Sequence, residues 1–97
     1  MSVELLPVGR TANTTIWYTA AADEVVQLML KPPAGVKQNH GESFVYLQFK
    51  NSAGQPVTVQ TLGGTSPVVA RFQGPAAYCL ERTNLPAWVG GAGVDKL

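Results

Sequence analysis

The chain has 97 residues, of which 45% are hydrophobic and only 13% are charged, and its formal net charge is +1. Soluble proteins usually carry about 25% charged residues. This composition excludes a disordered chain and an electrostatic footprint for nucleic acid or anionic lipid. The length predicts one domain over residues 1–97, and no apolar run approaches the ~20 residues of a membrane-spanning helix.

The N-terminal sequence also bears on the compartment. It lacks the basic start, the apolar region and the small-residue cleavage site of a secretory signal. A single cysteine, Cys79, cannot form an internal disulfide. We therefore expect the chain to be made and kept in a reducing compartment.

Alternation of apolar and polar side chains with a period of two runs through most of the chain, which predicts half-buried β-strands. The strand-like segments, in chain order, are 14–20, 24–31, 43–50, 56–62, 67–73 and 77–82. The stretch 19–31 has a helix as its alternative, because its Ala, Glu, Leu, Met and Lys residues favour helix.

The alternation also predicts which side chains face the core. The residues expected to face the core are Val45, Leu47, Phe49, Tyr78 and Leu80. In the segment 24–31, Val26, Leu28 and Leu30 share one face, and in 67–73 Val68, Ala70 and Phe72 share one face. In the segment 56–62, Val57, Val59 and Thr61 share one face, and Thr58 and Gln60 share the other. The side chains expected on opposite faces or at edges include Val25, Gln27, Met29, Phe44, Tyr46, Arg71, Cys79, Glu81 and Arg82.

Turn residues separate the strands. Residues 51–56 predict a hairpin connection, in which Asn51 starts the turn and Gly54 takes a positive φ. The Gly-Gly and Gly-Pro stretches at 63–67 and 74–76 end the next two strands. Several short strands at this spacing predict an all-β fold, a small antiparallel β-sandwich or barrel of jelly-roll or Ig-like type.

We expect the core of this fold to span residues 14–83. Residues 1–13 form an N-terminal arm, since a Pro and a Gly interrupt a short apolar stretch. Residues 84–97 form a C-terminal arm, in which Trp88 precedes a glycine-rich sequence.

Catalytic and metal chemistry has little support in the sequence. The one histidine, His40, and Cys79 occur without the sequence context of a nucleophile–base pair. The acidic residues and these two side chains lack the spacings of zinc or calcium ligands, and no glycine-rich phosphate loop is present. We therefore expect no enzyme, no cofactor and no metal site, with Cys79 an inert thiol that is buried by a second layer of the fold or covered by a neighbouring subunit.

Surface aromatics are the remaining signal of a binding site. Phe44 and Tyr46 point away from the core if their strand alternates regularly, and one of the adjacent Trp17 and Tyr18 does so too. Such a ring stacks on a sugar or fills a protein pocket. The alternative is that both sheet faces are covered within the domain or by its arms.

Three stretches, FKNSAGQPVTV, RFQGPAAYCLER and AWVGGAGVDKL, carry a resemblance over roughly the last half of the chain. They resemble small virion proteins of tailed bacteriophages, in particular capsid decoration (cement) proteins and related head or tail β-domains. The sequence pattern NSAGQPVTV is also similar to patterns found in bacterial Ig-like domains.

The resemblance implies a structural protein of the virion, made in the host cytoplasm. It would bind the outside of the capsid as a trimer or dimer and bridge neighbouring major capsid subunits, without nucleic acid or membrane partners. The alternatives are a neck or tail component and a carbohydrate- or surface-binding β-sandwich module. The subunit contacts expected from the apolar arms and outward aromatics are Val3, Leu5, Leu6, Val8, Phe44, Tyr46, Trp88, Val89 and Val94.

Overall fold

A computed structural model describes residues 3–31, 44–63, 67–85 and 91–97. Within these ranges the chain forms strands and no helix, so no described segment is a helix long and apolar enough to cross a membrane. The strands are β1 (Val3–Gly9), β2 (Asn13–Thr14), β3 (Tyr18–Ala20), β4 (Val25–Lys31), β5 (Phe44–Lys50), β6 (Pro56–Gly63), β7 (Val69–Gln73), β8 (Ala76–Arg82) and β9 (Ala92–Lys96).

Two antiparallel sheets pack against each other. The first has the strand order β1-β9-β4-β7, and the second has the order β2-β8-β5-β6, with β3 also paired to β8. This arrangement confirms the predicted all-β fold and is consistent with a small β-sandwich. The helix considered for residues 19–31 is wrong, since β4 occupies most of that stretch.

The period-two pattern explains why β4 is a strand of the first sheet. Val26, Leu28 and Leu30 are buried, whereas Val25 and Met29 between them are exposed. Successive side chains of a strand point to opposite faces, so one face of β4 enters the core and the other meets solvent. The prediction that Tyr78 and Leu80 of β8 face the core is confirmed, since both are buried. In β7 the face that Ala70 and Phe72 share is the one that packs on the core.

One contiguous hydrophobic core lies between the sheets. Its buried members come from both sheets and from the connections: Leu6, Ala20, Val26, Leu28, Leu30, Val45, Leu47, Leu62, Ala70, Tyr78, Leu80, Leu85, Ala92 and Val94. Burial of apolar surface is the main favourable contribution to folding, so both sheets depend on this shared layer.

Aromatic rings join the sheets towards one end of the core. Phe72 of the first sheet lies between Phe49 and Tyr78 of the second, with ring centroids 5.0 and 5.1 Å apart in edge-on geometries. Tyr18 continues the row, 5.6 Å from Tyr78, and its hydroxyl donates a hydrogen bond to the Leu5 carbonyl at 3.3 Å. Edge-to-face pairs add to area burial, so these rings fix how the sheets face each other.

The segment 56–62 departs from the predicted alternation. Leu47 pairs with Gln60 and Gln48 pairs with Thr58, which leaves Val59 as an extra residue of β6. This β-bulge shifts the facing of the residues that precede it. Val57 pairs with the core-facing Phe49, whereas Thr61 pairs with the outward Tyr46, so the expected shared face of Val57, Val59 and Thr61 is wrong.

The predicted hairpin turn is present between β5 and β6. The Asn51 side-chain oxygen accepts hydrogen bonds from the backbone N–H groups of Ala53 and Gln55, at 3.0 and 2.9 Å. Gly54 has a φ of 81° and donates its N–H to the Asn51 carbonyl. Glycine adopts this conformation without the steric cost of a side chain.

Gly74 precedes Pro75 across a cis peptide bond between β7 and β8. A Cβ atom at Gly74 would lie 2.0 Å from the Ala21 carbonyl oxygen, a contact that backbone atoms cannot relieve. The Gly74 N–H donates to the Glu24 carbonyl at 2.9 Å. The Gly-Pro pair therefore lets the β7–β8 connection pack against the β3–β4 connection.

The segments expected to be terminal arms contribute strands to the sandwich instead. β1 pairs with β9, and β9 also pairs with β4, so β9 is an internal strand of the first sheet. Leu6 and Val94 are fully buried in the core, because this pairing places both between the sheets. The core consequently extends beyond the predicted limits of residues 14–83.

Arg82 was expected on a face or edge, but only 4% of it is exposed. It follows Tyr78 and Leu80 on the inward side of β8. Its Nη1 donates to the carbonyls of Pro7 and Ala92, both at 2.7 Å, and its Nε donates to the Thr11 carbonyl at 2.8 Å. Burial lowers the pKa of Arg82, yet an arginine stays protonated at neutral pH. The guanidinium thus satisfies three carbonyls from separate segments.

We expect Arg82→Leu to lower the free energy of unfolding by about 2 kcal/mol or more, because the buried Ala92 carbonyl loses its donor at a cost of about 1–3 kcal/mol and the part-buried bonds to Pro7 and Thr11 are lost with it. Urea denaturation at low protein concentration measures this loss. The matched control is Arg71→Leu on the exposed face of β7, expected to change stability by less than about 0.5 kcal/mol. Equal effects of the two substitutions would contradict the role of Arg82.

Candidate binding surfaces

The two sheets present outer faces of different chemistry. We call the outward side of the first sheet the apolar face, made of Val25, Gln27, Met29, Val69, Arg71 and Leu97. We call the outward side of the second sheet the polar–aromatic face, made of Trp17, Tyr46, Gln48, Lys50, Thr58 and Glu81.

Strand register places the residues of the apolar face side by side. Met29 of β4 pairs with Val69 of β7, and Gln27 pairs with Arg71. Val25 and Met29 are 48% and 39% exposed, so two apolar side chains of one strand stand in solvent. Met29 and Val69 adjoin each other on this surface, and adjoining apolar side chains at a surface favour a protein contact.

An ion-pair cluster borders the apolar face on the side of β9 and β1. The Lys31 ammonium contacts the carboxylate of Glu4 and, at 2.9 Å, that of Asp95. The hydrogen bond with Glu4 raises the pKa of Lys31, with Asp95 acting in the same direction against a smaller effect of burial. One cation with two carboxylates gives this border a net charge of −1.

Hydrogen bonds organise the polar–aromatic face around Gln48, which is largely buried. Its Nε2 donates to Thr58 Oγ1 at 3.3 Å and to Glu81 Oε1 at 3.4 Å. Its Oε1 accepts from the Cys79 thiol at 3.5 Å. The amide of Gln48 therefore has its polar atoms paired across three adjacent strands, which holds the centre of this face in place.

Aromatic side chains flank that polar centre. The Lys50 ammonium lies 5.5 Å from the centroid of the Trp17 ring, within the range of a cation–π contact. Tyr46 packs edge-on against Phe44 with centroids 5.4 Å apart. Trp17 and Tyr46 are both half-buried, so each ring is fixed by the fold and still presents part of its surface to a partner.

Cys79 is buried on this side of β8, with 2% of its surface exposed. Burial raises the pKa of the thiol, and the nearby Glu81 carboxylate raises it further. A raised pKa keeps the sulfur neutral at pH values where an exposed cysteine begins to ionise. The chain itself covers this thiol, as expected of an inert cysteine, and no neighbouring subunit is needed to bury it.

The residues predicted to contact other subunits have different surroundings. Val3 and Val8 on β1 are exposed, and Leu5 packs partly against the core. Leu6 and Val94 are core residues and are inaccessible to a partner in this fold. Trp88 and Val89 lie outside the described residues, as does His40.

Phe44 and Tyr46, the two aromatic residues of β5 predicted to face outward, have different surroundings. Tyr46 belongs to the polar–aromatic face, whereas Phe44 at the start of the strand packs partly against the core. Trp17, the residue of the Trp17–Tyr18 pair that leaves the core, lies beside Lys50 on the same outer face as Tyr46.

Sequence reasoning missed Val25 and Met29 as candidate contact residues. The alternation in β4 placed both on the outward face, which was the available signal. Alternation alone does not show that these two side chains belong to a larger surface. The larger surface is recognised only when β7 and β9 are known to flank β4, because these neighbours add Val69, Arg71 and Leu97 to it.

The described ranges contain no group of three or more His, Cys, Asp or Glu side chains arranged to hold a metal ion, and no pocket was detected among them. No protein-family model, curated protein or solved structure matches the chain significantly. The two outer faces are accordingly the candidate sites that the geometry itself provides.

We expect native Cys79 to react with a thiol reagent at least about a hundredfold more slowly than the same thiol in denaturant, since reaction requires both opening and ionisation. Stopped-flow labelling at pH 8 measures both rates. Glu81→Gln should speed native labelling modestly by removing the neighbouring negative charge. Native labelling as fast as that of the unfolded chain would contradict the buried position of this thiol.

Proposed function

We propose that the chain is a structural protein of a tailed-bacteriophage virion that decorates the capsid and bridges neighbouring capsid subunits. The resemblance of its second half to decoration proteins supplies the virion context. The observation that supports bridging is the pair of outer faces on opposite sides of one rigid sandwich. A protein that joins neighbours needs at least two contact surfaces held at a fixed geometry.

The apolar face supports one of these contacts. Val25 and Met29 offer apolar surface that a partner can cover, with Arg71 beside them. Met and Arg are enriched at the centres of protein interfaces, whereas charged residues in general are depleted there. With 13% charged residues in the chain, few unpaired charges need to be stripped of water when such a surface is covered.

The polar–aromatic face supports the other contact. Trp17 and Tyr46 are rigid side chains with large contact areas, and they lose little conformational freedom on binding. Gln48 and Glu81 next to them provide polar groups already fixed by hydrogen bonds. A preorganised face of this kind binds without the cost of ordering its own side chains.

Many copies on one shell make modest contacts sufficient. When one face of a copy is bound, its other face meets its partner at a high effective concentration. Two weak contacts per copy, repeated over a lattice, then stabilise neighbouring subunits strongly. This is the physical basis on which a 97-residue sandwich stabilises a capsid.

We expect the chain to co-purify with phage particles produced by its native host, at a copy number proportional to that of the capsid protein. Density-gradient purification followed by quantitative mass spectrometry measures this ratio. Trp17→Ala and Val25→Glu should each raise the dissociation constant for particles at least about tenfold, the effect of losing ~1.4 kcal/mol of contact energy, and so lower occupancy.

Matched controls exist for both substitutions. Ile16→Ala alters the exposed neighbour of Trp17, and Val59→Glu alters a valine that is 49% exposed on β6. Both controls should leave occupancy unchanged, and thermal unfolding should show that all four variants fold. A chain that is absent from the particles, or that instead binds polysaccharide through Trp17, would contradict the proposed function.

A further inference from the structure

We infer that the apolar face is the contact between two copies of the chain, related by a two-fold axis parallel to β4. This goes beyond the proposed function, since it makes a second copy the partner of the apolar face, so that capsid subunits would be bridged by the two copies together, and it holds in solution without any virion. The inference is carried by the distribution of charge around Val25 and Met29.

The apolar face has a cationic flank and an acidic flank. β4 lies between β7 and β9, so Gln27 has Arg71 on one side, while Met29 has Asp95 on the other. Glu4 of β1 pairs with Asp95 and extends the acidic flank. β4, which lies between the two flanks, has neutral side chains at its outward positions except for Lys31 at its end.

A two-fold axis along β4 makes these flanks complementary. It stacks β4 of one copy on β4 of the other and places β7 of each copy over β9 of its partner. Arg71 then lies about 7 Å, one two-residue step along a strand, from the position above Asp95, and packed sheets lie about 10 Å apart, so the two backbones are separated by about 12 Å. Extended Arg71 and Asp95 side chains together reach across this gap, and the symmetry makes the contact occur twice.

The charges favour this two-fold arrangement over other ways of stacking two copies on their apolar faces. Within the described part of the chain, the ion pairs involve Lys31 with Glu4 and Asp95, and Lys96 with Glu24, but not Arg71. The acidic flank keeps one carboxylate in excess after Lys31 is counted. Arg71 of a second copy neutralises that excess, while Val25 and Met29 are covered by their own symmetry mates.

The size of the face sets the strength of the contact. Four strands about 4.8 Å apart, with five to seven residues each at about 3.4 Å per residue, give a footprint on the order of 300–450 Å² per copy. The total, on the order of 600–900 Å², is below the ~1,200–2,000 Å² of stable complexes. We therefore expect a dimer that dissociates on dilution and weakens as salt is raised.

Sedimentation velocity of the whole chain over a range of concentrations tests this inference. The wild type should shift from monomer to dimer as concentration rises. Val25→Glu should raise the dissociation constant at least about tenfold, because two carboxylates meet at the symmetry axis. Val59→Glu is the matched control, with the same chemistry at a valine of equal exposure on the other sheet, and should still dimerise.

A charge exchange tests the two-fold arrangement itself. In a dimer of Arg71→Glu, the new carboxylate of each copy would face the acidic flank of the other, so this variant should be monomeric. In a dimer of Asp95→Lys, the new ammonium of each copy would face Arg71 of the other, so this variant should be monomeric too. Mixing the two variants should restore a dimer, because both contacts of the mixed pair join opposite charges. If Asp95→Lys unfolds once its contact with Lys31 is lost, Glu4→Lys on the same flank takes its place.

A wild-type chain that stays monomeric at millimolar concentration would overturn the inference. So would a dimer that Val25→Glu and Val59→Glu weaken equally, or a mixture of the charge variants that remains monomeric. These outcomes concern the chain in solution, so they leave the test of particle binding separate.

Discussion

The buried guanidinium of Arg82 is the interaction on which the arrangement of the two sheets depends. It extends from β8 in the second sheet and donates to carbonyls of β1, of β9 and of Thr11, which precedes β2. A buried charge is costly unless its donors are satisfied. Sheets shifted relative to each other would leave these donors and acceptors unpaired, so Arg82 limits the packing to one geometry at this end.

Aromatic packing provides the corresponding constraint elsewhere in the core. Phe72 lies between Phe49 and Tyr78, and Tyr18 reaches across to the backbone of β1. The hydrogen bonds of Arg82 and the packing of these rings together hold the two sheets in one relative position. The outer side chains are therefore carried by a rigid scaffold. Both candidate surfaces are therefore preorganised, which matters more for affinity than the area they expose.

The strands with one buried face were predictable, because alternation in β4, β7 and β8 reports directly which side chains enter the core. Features that depend on long-range pairing were not. The alternation of side chains runs through 56–62 without a break in the sequence, so it gives no sign of the bulge at Val59. An arginine is ordinarily a surface residue, so the burial of Arg82 could not be expected either. Of the candidate surfaces, Tyr46 followed from alternation, but the apolar face required knowing that β7 and β9 flank β4, which no local pattern encodes.

The position of β9 has a consequence for how the chain folds as it is synthesised. Residues Val3 and Lys96 are strand partners, and β9 separates β1 from β4 in the first sheet. That sheet cannot be completed until β9 has left the ribosome, whereas β5 and β6 form a local hairpin earlier. Because contacts between distant residues are made slowly, the edge of β4 that pairs with β9 stays open during synthesis, and the arrival of β9 closes this sheet.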